Sequence, residues 1–185
     1  TTSIGFHPTD ANTFYVGAAI GGVWKTTDGG QTYEPKGDDL PFLAVSSIVV
    51  NSDSPETIYI AVSDHVWYGP PSIGVYKSID GGDSWQATSL SFSFTENIRI
   101  NWMIADPADA DRVFVGTSSG LFRTDNGFDT YVTVNNLNTA DLKFKPSDPS
   151  IVYQGLSAGA LYKSVDGGIN FAALANIGSG STLIA

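Results

Sequence analysis

The sequence predicts an all-β fold assembled from four copies of one four-stranded antiparallel unit. The first observation is a phrase that occurs four times. It reads Lys25-Thr-Thr-Asp-Gly-Gly-Gln-Thr-Tyr33, Lys77-Ser-Ile-Asp-Gly-Gly-Asp-Ser-Trp85, Arg123-Thr-Asp-Asn-Gly-Phe-Asp-Thr-Tyr131 and Lys163-Ser-Val-Asp-Gly-Gly-Ile-Asn-Phe171. Its acidic position falls at Asp28, Asp80, Asn126 and Asp166, at intervals of about 40 to 50 residues. In the third copy, alignment on Arg123 and Tyr131 puts Asn126 there rather than Asp125. The second observation is an aromatic residue followed by a small one, in Phe14-Tyr-Val-Gly17, Ile58-Tyr-Ile-Ala61, Val113-Phe-Val-Gly116 and Val152-Tyr-Gln-Gly155. The third is a cluster of turn formers just upstream, at His7-Pro-Thr-Asp10, Ser54-Pro55, Asp106-Pro-Ala-Asp109 and Lys145-Pro-Ser-Asp-Pro149.

Each unit therefore reads, in order, as strand A, a Pro/Asp turn, strand B with its aromatic, a variable loop, strand C, the Asp-Gly turn and strand D. Proline presets φ and Asx side chains bond to nearby backbone, so the upstream clusters are tight strand connections. Aromatic and β-branched residues suit strand B. In the second copy the strands fall at about 45–50, 57–62, 74–79 and 84–88, and nothing longer than a turn of helix is expected. A four-stranded antiparallel unit of this size is a propeller blade. The blades are expected at about 1–43, 44–97, 98–138 and 139–178, with 179–185 opening another. A blade buries both faces only against its neighbours, so the remaining blades are expected in a longer parent polypeptide.

Composition agrees and narrows the functional classes. Of 185 residues 42% are hydrophobic, 12% aromatic and only 15% charged, with 20 glycines, which suits short strands joined by many turns. Nineteen acidic against nine basic residues give a net charge of −10. That charge repels phosphate backbones and anionic lipid, so no nucleic acid partner and no direct membrane insertion are expected. No cysteine is present to build a disulfide or a thiolate metal site. No D-x-[DN]-x-[DN]-G loop supports calcium, and the reading calls for no metal or cofactor.

The phrase [ST]-x-D-G-G-x-[TS]-[WFY] resembles the Asp box, or BNR repeat, of sialidases, sortilin-type receptors and xyloglucanase-like glycoside hydrolases. The resemblance implies a propeller of about six to eight blades. It also implies that Asp28, Asp80, Asn126 and Asp166 hold turns rather than touch a ligand. Carboxylate and hydroxyl bond the turn, and the glycines supply φ > 0. Spans such as Gly21-Gly-Val-Trp-Lys-Thr-Thr-Asp-Gly-Gly and Leu142-Lys-Phe-Lys-Pro-Ser-Asp-Pro-Ser-Ile-Val-Tyr153 are similar to large exported proteins of Bacteroidota. Those proteins pair a sortilin-like propeller with a type IX secretion signal. That similarity implies a secreted or cell-surface location and contact with secretion-machinery proteins.

In such a unit the A–B and C–D turns lie at one end, and the B–C and D–A loops at the other. The variable loops are the expected binding end. The B–C loop of the second copy is longer than that of the first and carries His65, Trp67 and Tyr68 as candidate ligand contacts. The rings of Trp67 and Tyr68 suit a sugar or peptide or equally fold back over a blade edge, and His65 by itself reads as a surface or packed histidine. The following D–A loop brings Glu96 and Arg99 to the same end, as ligand contacts or as an ion pair, the pair being favoured. Phe92 and Phe94 alternate as if extending strand D, and Trp102 reads as core.

Enzyme readings find little local support. A sialidase needs several arginines around a carboxylate, yet Arg112 and Arg123 sit at the turn end. A glycosidase needs two carboxylates across the sugar. Asp38, Asp39, Asp64 and Glu96 are the loop-end carboxylates, none inside a catalytic motif. The expectation is therefore a non-catalytic binding or adhesion module for a glycan, peptide or protein. The alternative is a xyloglucanase-like glycoside hydrolase with catalytic carboxylates partly outside these residues.

Overall fold

The computed structural model describes residues 2–63 and 71–176. The chain divides into two compact units, Thr1–Ile100 and Asn101–Ala185. Four antiparallel sheets of four strands account for nearly all the regular structure, and the strands of each sheet lie in chain order. These are propeller blades. Among the described residues the helical content is one 3-10 turn, Phe94–Glu96.

In the first unit, β1 (Ser3–Phe6), β2 (Phe14–Ala18), β3 (Gly22–Thr26) and β4 (Glu34–Pro35) form one sheet. The second comprises β5 (Val45–Val50), β6 (Ile58–Val62), β7 (Gly74–Ser78) and β8 (Gln86–Ser91). The two stack through one face of each. Tyr15 and Val23 meet Val45, Ile48, Ile58, Ile60 and Val62 in one apolar cluster, with Tyr76 and Trp85 at its margin. Glycines allow the approach: a Cβ on Gly5 would stand 2.6 Å from Ile48 Cγ2, and one on Gly17 2.9 Å from Val45 Cγ1. Every residue of β6 is buried, and its sequence is continuously apolar. β1 and β2 alternate between covered and open positions.

In the second unit, the third sheet is β9 (Ile100–Asp106), β10 (Asp109–Thr117), β11 (Leu121–Thr124) and β12 (Val132–Asn135). The fourth is β13 (Thr139–Lys145), β14 (Asp148–Leu156), β15 (Ala160–Ser164) and β16 (Ala172–Asn176). Phe114, Leu121, Leu142 and Val152 make their shared core, with Phe144 edge-on to Phe114 at 5.7 Å between ring centres. A polar network lies inside it. Gln154 is fully buried and donates to Thr139 Oγ1 (2.7 Å) and Asn135 Oδ1 (3.2 Å), while its own Oε1 accepts from Asn135 Nδ2 (3.1 Å).

The A–B turns close through their own side chains. His7 Nδ1 accepts from the backbone of Thr9 and Asp10, Asn51 Oδ1 from Asp53 and Ser54, and Asp106 Oδ1 from Ala108. The last strand of the second sheet departs from expectation. It begins at Gln86 rather than 84, because Ser84 is held by Asp80 of the preceding turn and Trp85 is turned to Lys36 O, and it runs on to Ser91. It does not continue through Phe94. Ser93 caps a 3-10 turn there, and Asn97 ends the turn with φ 53°.

Candidate functional site

Three of the four Asp-Gly turns share one hydrogen-bond pattern. Asp80 Oδ1 accepts from Ser78 Oγ (2.7 Å) and Ser84 N (2.9 Å), and its Oδ2 accepts from Ser84 Oγ (2.6 Å). Ser78 Oγ in turn accepts from Gly82 N at 2.8 Å. Asp28 repeats this with Thr26 and Thr32, and Asp166 with Ser164 and Asn170. These bonds stabilise the ionised form and pull each of the three carboxylates from 3.8 to about 2. The leading cause is the Thr32 hydroxyl at Asp28, the Ser84 hydroxyl at Asp80 and the Asn170 backbone at Asp166. Asn126 takes the same place in the third sheet: its Oδ1 accepts from Thr130 N and its Nδ2 donates to Thr130 Oγ1, both at 3.0 Å. Asp125 is occupied elsewhere, with Arg112 Nε at 2.7 Å and Arg123 Nη2 at 2.9 Å.

The turn end is thus occupied by the fold itself. Arg112 also reaches Asp106 (3.1 Å) and Asp109 (3.5 Å), so both arginines serve a turn-end ion network. Among the described residues no group of three or more His, Asp or Glu is arranged to hold a metal ion.

The loop end of the first unit is open. The B–C connection at Ala19 and Ile20 and the D–A loop Leu40–Ala44 line an apolar pocket of about 360 Å³. Gly22 N donates to Leu43 O at 2.9 Å and ties the two loops together. Ile20 is 88% exposed at the rim, and the exposed Asp38 and Asp39 precede Leu40 on the same loop. The apolar run Leu40-Pro41-Phe42-Leu43, lying between strands, is the sequence signal for this pocket.

The residues expected to bind are placed as follows. His65, Trp67 and Tyr68 lie outside the described residues, as does Asp64. The ends of their loop are described: Ser72 N donates to Ile98 O (2.8 Å), and Ile100 N donates to Ser63 Oγ (3.2 Å). Those bonds hold the Glu96–Arg99 segment beside the base of that loop. Glu96 itself is committed locally, its Oε2 accepting from Ser93 N at 2.6 Å to complete the capping box. The favoured Glu96–Arg99 ion pair is not formed among the described residues, because the carboxylate faces back into its own turn. Arg99 is half-buried. Trp102 is half-buried too, with Lys143 Nζ 5.1 Å from its ring centre.

Comparison with known proteins bears on what this frame does. No family model matches the chain. The chain is 26% identical over 208 aligned positions to xyloglucanase Xgh74A of Acetivibrio thermocellus, covering 91% of the chain and 25% of that protein. It is 23% identical to the oligoxyloglucan-reducing end-specific xyloglucanase of Emericella nidulans, over 94% of the chain and 24% of that protein. The crystal structure of an ancestral GH74 enzyme superposes with a TM-score of 0.77 at 21% identity, over 95% of the chain and 24% of that structure. The chain spans about a quarter of the length of the curated relatives it matches.

These similarities correct the non-catalytic binding module, and with it the leaning against an enzyme, expected from the sequence. The sequence argument rested on the lack of a catalytic motif. A glycosidase's two carboxylates are brought together by the fold and need no local signature, so that lack carried no weight.

Proposed function

We propose that the chain is part of a glycoside hydrolase of the xyloglucanase class, and that its loop end contributes to the substrate-binding surface. The observation that carries this is the likeness to proteins named xyloglucanases, which runs through nearly the whole chain rather than through one turn motif. The open apolar pocket at Ala19–Ile20 and Leu40–Ala44 adds a place for the C–H face of a pyranose ring, and the exposed Asp38 and Asp39 on the same loop supply acceptors for sugar hydroxyls. Hydrolysis of a glycosidic bond needs one carboxylic acid to protonate the leaving oxygen and a second carboxylate to activate water or attack the anomeric carbon. Glu96 is engaged in its own turn. This loop end therefore serves substrate contact, and the catalytic pair is completed by residues beyond this stretch. The Asp-Gly turns are of the Asp-box kind and act as structural pins.

A branched polysaccharide cannot cross a membrane, so a hydrolase of this class works outside the cytoplasm. No helix among the described residues is long and apolar enough to cross a membrane. Export by type IX secretion, with the machinery contacts it entails, rests on the likeness of the quoted sequence spans alone.

The test is release of new reducing ends. The folded polypeptide containing this chain should hydrolyse xyloglucan and leave a β-1,4-glucan lacking xylosyl branches much less affected. Failure to release any reducing ends from xyloglucan would overturn the reading.

A further inference from the structure

The third Asp-Gly turn is closed by an amide where the other three are closed by a carboxylate. Asn126 stands in the place of Asp28, Asp80 and Asp166, and Gly127 follows it as a glycine follows each of them. It is the only Asn-Gly pair in the 185 residues. Such a pair is unstable in an open chain, because glycine has no side chain to hinder approach of its nitrogen to the preceding carboxamide. The Gly nitrogen attacks Asn Cγ, a five-membered imide closes and ammonia leaves. Water then opens the ring. Breaking the N–Cγ bond leaves Asp, and breaking the bond to the main-chain carbonyl leaves isoaspartate.

The folded turn restrains both partners of that reaction. Asn126 is exposed to water, but Gly127 is buried and its N–H donates to Asp111 O at 3.0 Å. The matching glycines are held likewise, Gly29 N by Asn12 O (3.0 Å), Gly81 N by Glu56 O (3.0 Å) and Gly167 N by Ser150 O (2.8 Å). An amide whose proton is bonded to a carbonyl resists the deprotonation that cyclisation needs. The Asn126 carboxamide is drawn toward residue 130 instead, its Oδ1 accepting from Thr130 N and its Nδ2 donating to Thr130 Oγ1.

The same surroundings suit a carboxylate. Thr124 Oγ1 lies 3.1 Å from Asn126 Oδ1 and 2.8 Å from Thr130 O, and its one proton serves the better acceptor. In the second sheet the matching hydroxyl, Ser78, donates to Asp80 at 2.7 Å. Thr130 Oγ1 accepts from Asn126 Nδ2, whereas the matching Thr32 Oγ1 donates to Asp28 Oδ2 at 2.6 Å. Rotating two hydroxyl protons therefore turns a holder of an amide into a holder of an anion.

We propose that Asn126–Gly127 is a latent deamidation site: the folded turn keeps it closed, opening of the turn releases it, and its Asp product refolds as a fourth carboxylate pin. Overall, Asn126 takes up one water and gives up ammonia, with no oxidant or other reactant. The isoaspartate product threads the backbone through its Cβ, lengthens the turn by one carbon and loses the bonds to Thr124 and Thr130. Openings of this turn are thus recorded covalently. The inference rests on the chemistry of the turn and is independent of the hydrolase reading.

Peptide mass mapping of the polypeptide containing this chain tests it, after incubation at mildly alkaline pH either folded or in guanidinium chloride. Deamidation at Asn126 should be slower by about tenfold or more in the folded sample, as expected for reaction through local opening. The unfolded sample should contain isoaspartate as well as Asp, the signature of the cyclic imide. Equal rates in the two samples would overturn the proposal, and so would Asp without isoaspartate, which excludes attack by Gly127 N. Asn126→Asp supplies the product directly. It should fold, melt at neutral pH no lower than the wild type, and lose stability more steeply between about pH 5 and about pH 2. A clear drop in melting temperature at neutral pH would show that the turn rejects the carboxylate and would sink the claim.

Discussion

At the residue scale, Asp28, Asp80 and Asp166 are stabilised as anions by the turns they close, each held at about 2 against an ordinary 3.8. A carboxylate whose pKa is lowered on folding adds stability that is complete above the ordinary value and lost as pH falls through the lowered one. The loss should run from about pH 5 to about pH 2 and below. The groups are solvent-exposed, so each share is modest. Asp80→Asn keeps an acceptor and a donor, as Asn126 does naturally, but cannot titrate. Its melting temperature should fall less steeply between pH 5 and pH 2 than that of the wild type; superimposable profiles would show that the carboxylate adds nothing. Two glycines give a sharper contrast. Gly167 and Gly168 both have positive φ, 69° and 81°, but nothing lies within 4 Å of a Cβ on Gly167, whereas one on Gly168 strikes Phe114. Gly168→Ala should cost about 2 kcal/mol or more of unfolding free energy, and Gly167→Ala about 1 kcal/mol from backbone strain alone. Denaturant melts of the two variants would separate strain from collision.

At the scale of elements, neighbouring blades are joined by polar ties as well as by apolar faces. Tyr15 is 1% exposed, and its hydroxyl meets the carbonyl of Gly81 in the next sheet. Trp85 Nε1 donates to Lys36 O at 2.5 Å, and Lys36 Nζ pairs with Asp83 at 2.6 Å. Tyr15→Phe keeps the ring and deletes one bond, leaving a buried carbonyl without that donor. A loss of about 1 kcal/mol is expected in equilibrium unfolding. A neutral result would mean that the apolar faces alone join the two sheets. The four copies are not interchangeable at this scale. Gln154 stands where the second sheet has Ile60, and its amide is accommodated because Asn135 and Thr139 surround it.

At the scale of the molecule, each unit is a pair of packed blades whose Asp-Gly turns are held by their own side chains, and the loop end of the first unit carries an apolar pocket. On the proposed function the pocket at that loop end contacts substrate, and Ile20 is the residue with which to probe it. Being 88% exposed, it can be changed without disturbing the core. Ile20→Asp in the full polypeptide should raise KM for xyloglucan several-fold, with kcat and melting temperature little changed, as expected when ground-state and transition-state contacts are lost equally. An unchanged KM would remove the Ile20–Leu43 pocket from the substrate surface.

Much of this was written in the sequence, for a physical reason. Turn chemistry and strand alternation are local, so Asp-Gly turns, Asx-closed A–B turns and four strands per unit follow from residues a few positions apart. Even the choice of Asn126 over Asp125 could be read from spacing, and the ion network of Arg112 and Arg123 lies at the end that their positions in the repeat indicated. What depends on contacts distant in sequence was not legible. Glu96 looked free to meet Arg99 until the chain turned at Ser93. The pocket at Leu40–Ala44 takes Ala19 and Ile20, from a different loop, into its lining. Catalysis by paired carboxylates is a property of two places brought together in space, and neither carries a mark in the linear order of its neighbours. Local bonding chose the elements, and only packing between them decided which surfaces were left open.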